Sequence, residues 1–158
     1  CTYKCSFCAF SKGKSNEELR GKPYLLTHEE ISRRVSEAWD RGATEVCMQG
    51  GIHPDFDGNT YLDILRTVKA TEPNMHVHAF SPLEVWHGAH SLGLSLETYL
   101  ELLRANGLGS LPGTAAGTQE NIDLQLRVLK ILMTLSKQFV NKFVFIQFLK
   151  SIGKDFSH

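Results

Sequence analysis

Three times along this chain, apolar residues at helical spacing give way to a short apolar run. Ile31, Val35, Ala38 and Trp39 recur every three or four residues between Thr27 and Gly42. That period predicts an amphipathic helix. Thr27 suits the N-cap, Glu30 three residues on completes a capping box, and Gly42 is a C-terminal stop. The run ATEVCMQ (43–49) then reads as a buried parallel strand ending at Gly50-Gly51. Leu62, Leu65, Val68 and Lys69 repeat the helical period, Pro73 closes it, and MHVHAF (75–80) is the second strand. SPLEVWHGAHSLGLS is a loop or short helix. LETYLELLRAN (96–106) is an amphipathic helix, and LGSLPG (108–113) is a short third strand broken at Pro112-Gly113.

Strands alternating with helices in this way predict βαβ units and a parallel sheet. A further strand is expected just before Cys1. Near residue 117 the alternation stops. No proline follows, and five of the nine Phe lie beyond it. QENIDLQLRVLKILMTLSKQFV predicts one long helix, and KFVFIQFLKSI a helix or a strand. The expected organisation is an α/β domain over 1–116 and a divergent, mostly helical tail over 117–158.

Composition narrows the function classes. The chain has 158 residues, 42% of them apolar, which suffices for one packed domain. Basic and acidic residues number 17 each. A net charge of zero gives no field for nucleic acid or an anionic membrane surface. No run reaches the roughly 18 apolar residues of a membrane span. No nucleic-acid or membrane partner is therefore expected.

Three of the four cysteines fall in the first eight residues, CTYKCSFC. Disulfide frameworks spread their cysteines, so this cluster points to metal ligation in a reducing compartment, hence the cytoplasm. The spacing C-x3-C-x2-C supplies three thiolates. On a four-iron, four-sulfur cluster three thiolates leave one iron open, and that iron can chelate the amino and carboxylate groups of S-adenosylmethionine. Zinc is the competing reading, but it ordinarily takes four protein ligands from two spaced pairs, and no second pair follows. Cys47, inside an apolar run, reads as a small buried residue.

Cys1, Cys5, Cys8 and the intervening Phe7 resemble the signature loop of the radical S-adenosylmethionine superfamily. CAFSKGK, EVCMQGGIHPDFDGNTYLDIL, HVHAFSPLEVWHGA, LGLSLETYL and GLGSLPGTAA together resemble its FO synthase branch, most closely the tyrosine-cleaving half. The resemblance runs from Cys1 to about Ala116. It implies a TIM-like (βα) barrel, here incomplete, with the cluster loop after its first strand. It also implies a 4Fe-4S cluster on Cys1, Cys5 and Cys8, and S-adenosylmethionine near Phe7 and Gln49-Gly50-Gly51. The implied reaction cleaves the Cα–Cβ bond of L-tyrosine and transfers its 4-hydroxybenzyl group to 5-amino-6-(D-ribitylamino)uracil. The electron donor would be a flavodoxin or ferredoxin, and the ring-closing half of FO synthase would be a partner. The menaquinone (futalosine) branch shares the CAF and QGG-like elements and stands as the alternative, together with a non-catalytic cluster-binding fragment.

Four further residues are candidate substrate contacts. His53 shares the loop of the glycines. His76 and His78 alternate along a strand and so share one face, which suits a wet barrel lumen. Glu84 follows in the next loop. Trp86 serves equally as packing or ligand contact. The basic run Lys12-Gly-Lys14 and the pair Arg33-Arg34 read as solvated.

Overall fold

The computed structural model describes residues 25–112 together with 124, 127, 128, 130 and 131. Four helices and two strands lie within residues 25–112. They are α1 (His28–Asp40), β1 (Glu45–Met48), α2 (Gly58–Thr71), β2 (His76–Ala79), α3 (Pro82–Ser91) and α4 (Leu96–Ala105).

Local chemistry sets the helix ends. Thr27, Asp57, Ser81 and Ser95 are the N-caps, each with a side-chain oxygen accepting a backbone N–H of the first turn. Asp57 and Ser81 belong to full capping boxes, with Thr60 and Glu84 reaching back. The box expected at Thr27 forms only in half. Thr27 accepts from the Glu30 amide at 3.2 Å, but the Glu30 carboxylate turns along the helix to Arg33 and Arg34. Two charged partners outcompete one backbone N–H. Gly42, at φ +87°, ends α1, and its N–H bonds the Trp39 carbonyl at 2.8 Å.

β1 and β2 pair in parallel, Glu45 with His76 through Met48 with Ala79. The helices cover one face of this sheet. Val77 and Ala79 are fully buried there, and Val46 and Met48 pack against the same core. Tyr61, Leu65 and Val68 of α2 and Tyr99, Leu100 and Leu103 of α4 supply its bulk. Tyr99 also passes its hydroxyl hydrogen to the Gly58 carbonyl at 2.8 Å, tying α4 to the start of α2.

Two expectations need correction. β1 is not buried on both faces: Glu45 and Cys47 are exposed, because among the described residues helices pack on one side only. Cys47 is therefore not a core residue. The third strand shrinks to one bridge, Ser110 opposite His78, with Ser110 N–H bonding Val77 O and Ala79 N–H bonding Ser110 O. Pro112 then offers no N–H to extend the ladder.

Of the predicted tail helix, residues 124, 127, 128, 130 and 131 are helical. Val128 is buried in the core, and Leu124 and Ile131 pack against it. The rest of the tail lies outside the described residues. Among the described residues no helix is long and apolar enough to cross a membrane.

Candidate cofactor and substrate site

Gln49, Gly50, Gly51, His53 and Glu84 lie where β1 and β2 end, whereas His76 opens β2 at its amino end and His78 stands two residues on. Gly50-Gly51 follows β1, and Phe80-Ser81 follows β2 and opens α3. Phe80 sits at φ +65°, a left-handed conformation that bulky residues rarely adopt. Its N–H bonds Met48 O at 3.0 Å, and its ring is buried edge-on against Tyr61 at 5.0 Å. The reversal lets Ser81 begin a helix directly after the strand, which brings the first turn of α3 beside the glycines.

Glu84, the N3 residue of that turn, joins the two units. One carboxylate oxygen accepts from Gly50 N–H at 2.8 Å and Gly51 N–H at 3.1 Å. The other accepts from Ser81 N–H and Ser81 Oγ–H, both at 2.7 Å. The side chain is 1% exposed, so the charge is buried with four donors around it. Tyr61 lies nearby with a buried hydroxyl that has no hydrogen-bond partner among the described residues. Burial first, and then the negative charge of Glu84, raises its pKa.

The two glycines differ. Gly51, at φ +70°, needs the freedom that glycine has. Gly50 does not: an added Cβ would meet Glu84 Oε1 at 3.7 Å and Phe56 Cε2 at 3.9 Å, ordinary contacts. No protein atom among the described residues forbids a side chain at 50. A glycine that neither its conformation nor any described residue requires leaves room for close approach to the backbone at this turn.

His53 stays in the same loop. Its Nδ1 accepts from Asp55 N–H at 3.2 Å, and its ring lies 5.0 Å from that of Phe56. His76 and His78 fall on the open face of the sheet, as their spacing predicts. Ser110 joins them: its Oγ is 2.9 Å from His76 Nε2 and 2.6 Å from His78 Nδ1. A hydroxyl with one proton donates to one imidazole and accepts from the other. Glu45, 3.7 Å from His76 Nε2, and the Cys47 thiol lie on the same face. Sequence reading missed Ser110. Its only signal was a position within the third apolar run, where serine reads as filler.

Trp86 of α3, 38% exposed, stacks on His90 one turn further along the same helix. Arg33 and Arg34 are solvated and ion-paired to Glu30. Cys1, Cys5, Cys8, Phe7 and the Lys12-Gly-Lys14 run lie outside the described residues. Among the described residues, no three His, Cys, Asp or Glu side chains converge to hold a metal ion.

Comparison with known proteins fits this arrangement. The chain is 49% identical to FO synthase of Streptomyces avermitilis over 116 residues, 73% of this chain and 13% of that protein. It is 47% identical to the 5-amino-6-(D-ribitylamino)uracil--L-tyrosine 4-hydroxyphenyl transferase of Methanococcoides burtonii over 116 residues, 73% of this chain and 30% of that one. The transferase of the same name from Archaeoglobus fulgidus is 43% identical over 129 residues, 82% of this chain and 34% of that protein. The chain thus spans at most about a third of the length of these relatives. The Radical SAM superfamily model matches residues 1–138, which takes in the cysteine triad, the glycine turn and the histidine strand. The chain belongs to the radical SAM superfamily.

Proposed function

We propose that this chain carries the cofactor end of a radical enzyme of deazaflavin biosynthesis, which transfers the 4-hydroxybenzyl group of L-tyrosine to 5-amino-6-(D-ribitylamino)uracil. The substrate pair follows the names of the transferases from Methanococcoides burtonii and Archaeoglobus fulgidus. The βα units are consecutive staves of a partial TIM-like barrel, with the open sheet face as its lumen. Sites in such folds form at the carboxyl ends of the strands. The observation that carries the reading is Gly50, a glycine that no described residue requires, on a turn at that edge beside a polar face.

Cys1, Cys5 and Cys8 would hold a 4Fe-4S cluster, since soft thiolates suit iron. When bound, a reduced cluster and S-adenosylmethionine supply a 5′-deoxyadenosyl radical. Phe7, Gln49, Gly50 and Gly51 take S-adenosylmethionine. His53, His76 and His78 face the substrates, with Ser110 between the last two. Two imidazoles linked through one hydroxyl hold a proton that can pass either way, which suits a phenol and an aminouracil. Glu84 serves this site from behind the glycine turn. A small flavodoxin or ferredoxin delivers the electron, the ring-closing half of FO synthase takes the product, and the protein works in the reducing cytoplasm.

The test is anaerobic reconstitution with iron and sulfide, then incubation with reductant, S-adenosylmethionine, tyrosine and the diaminouracil. Mass spectrometry is expected to find 5′-deoxyadenosine and a 4-hydroxybenzyl adduct of the uracil. If a protein extended to the length of its relatives forms 5′-deoxyadenosine but no adduct, the substrate assignment fails.

A further inference from the structure

Burying a carboxylate is costly unless its lone pairs are met. Glu84 has all of them met by its own chain, two donors to each oxygen. One oxygen secures the start of α3, an ordinary capping role. The other reaches across to the preceding βα unit and grips two successive backbone amides of a turn.

That grip has a geometric consequence. Both peptides are trans, and a trans planar peptide sets its N–H opposite its C=O. With the amides of Gly50 and Gly51 on Glu84, the carbonyls of Gln49 and Gly50 point away from it. Two acceptors are thus presented side by side on a turn whose two glycines, lacking side chains, would otherwise leave it free to swivel. A pair of carbonyl oxygens suits an ammonium group, not an anion.

We propose that Glu84 is a positioning residue for S-adenosylmethionine: it locks the Gln49-Gly50 and Gly50-Gly51 peptides so that their carbonyl oxygens are held out for the ammonium group of the methionine moiety. This rests on reading Gly50-Gly51 as the cofactor turn. With both oxygens taken up by its own chain, Glu84 would act on neither cofactor nor substrate directly, in place of the substrate contact expected from the sequence. It acts through backbone, from an element that follows the next strand.

The experiment uses the full chain reconstituted anaerobically, with Glu84→Gln and Glu84→Asp beside the wild type. Glutamine keeps the length but replaces one acceptor oxygen by a donor. Aspartate keeps the charge at the helix N-terminus but draws the carboxylate back by about 1.5 Å, one carbon–carbon bond. Asp is favoured in the first turn of a helix, so this variant tests the idea if the glutamine variant fails to fold. Three quantities are measured: the Kd for S-adenosylmethionine by equilibrium dialysis, the electron paramagnetic resonance signal of the reduced cluster with and without it, and amide hydrogen exchange at Gly50 and Gly51. Iron content and the signal without S-adenosylmethionine are expected to match the wild type. Affinity falls on the order of tenfold, the worth of a charge-assisted hydrogen bond. The two amides lose protection in step. A folded variant whose affinity stays within about twofold, against a tenfold worth for one such bond, overturns the proposal. A wild-type signal that S-adenosylmethionine perturbs upholds binding of the cofactor at the cluster, and with it the proposed function, whatever the variants do. A wild-type signal it leaves unchanged removes that reading and the proposal together.

Discussion

On one face of the sheet Val77 and Ala79 are sealed under helices; one residue along the same strand, His76 is exposed and His78 half-buried. The strand period of two separates these sets and nothing else does. The covered face is answerable to packing: its side chains are aliphatic or aromatic and interlock with α2, α3 and α4. The open face collects Glu45, Cys47, His76, His78 and Ser110, groups no packing argument would choose. The same division holds for the glycines. At Gly88 an added Cβ would lie 2.5 Å from the Tyr99 hydroxyl oxygen and 2.6 Å from its ring, so packing demands glycine. At Gly50 nothing among the described residues does. A polar or glycine position that the fold leaves unexplained is where chemistry should be sought.

The contrast is easiest to break on the covered face. Leu65, wholly buried, should cost about 2–5 kcal/mol as Leu65→Ala, read by urea denaturation. A loss below about 1 kcal/mol would mean this face is not the core. Next, Gly88→Ala should cost about 1–3 kcal/mol through overpacking against Tyr99. Gly50→Ala, by contrast, should keep stability within about 0.5 kcal/mol of the wild type while weakening S-adenosylmethionine binding on the order of tenfold. Equal stability losses at the two glycines would erase the distinction. On the open face, Ser110→Ala should leave stability within about 1 kcal/mol but lower adduct formation on the order of tenfold, by unlinking His76 from His78. Unchanged turnover would return the trio to a structural role.

The smallest effect expected is from acid. Arg33 and Arg34 hold the Glu30 carboxyl at about 2, below its ordinary 4.5. A depressed folded pKa stabilises above the unfolded value and loses that contribution as pH falls from about 4.5 through about 2. These are exposed pairs in the first turns of α1, so Glu30→Gln should flatten only a small part of the acid limb of a stability–pH curve and do less in high salt. An unchanged acid limb would show that the pairs add nothing.

Much of the fold was legible because it is local. Thr27 and Gly42 frame α1, and the periodic Leu and Val positions of α2 and α4 are the buried ones. Ser81-Pro82 with Glu84 carries a full start signal for α3, a segment otherwise read as loop or short helix. The third strand was over-read, since an apolar run states no partner and Pro112 removes a donor. Cys47 was misjudged because a run of apolar residues cannot say how many of its faces will be covered.

By itself the sequence determined α1, α2 and α4, the parallel pairing of two strands, and the shared face of His76 and His78, all consequences of short-range period and capping. It also carried the cysteine triad and the motifs that tie the chain to its superfamily. Only the tertiary structure decided that Glu84 grips the amides of Gly50 and Gly51, that Ser110 lies between two histidines 32 and 34 positions away, and that Phe80 turns through a left-handed conformation. Those contacts join residues across βα units. Their energies depend on burial and on donors brought from elsewhere in the chain, and no window of neighbouring residues contains that information.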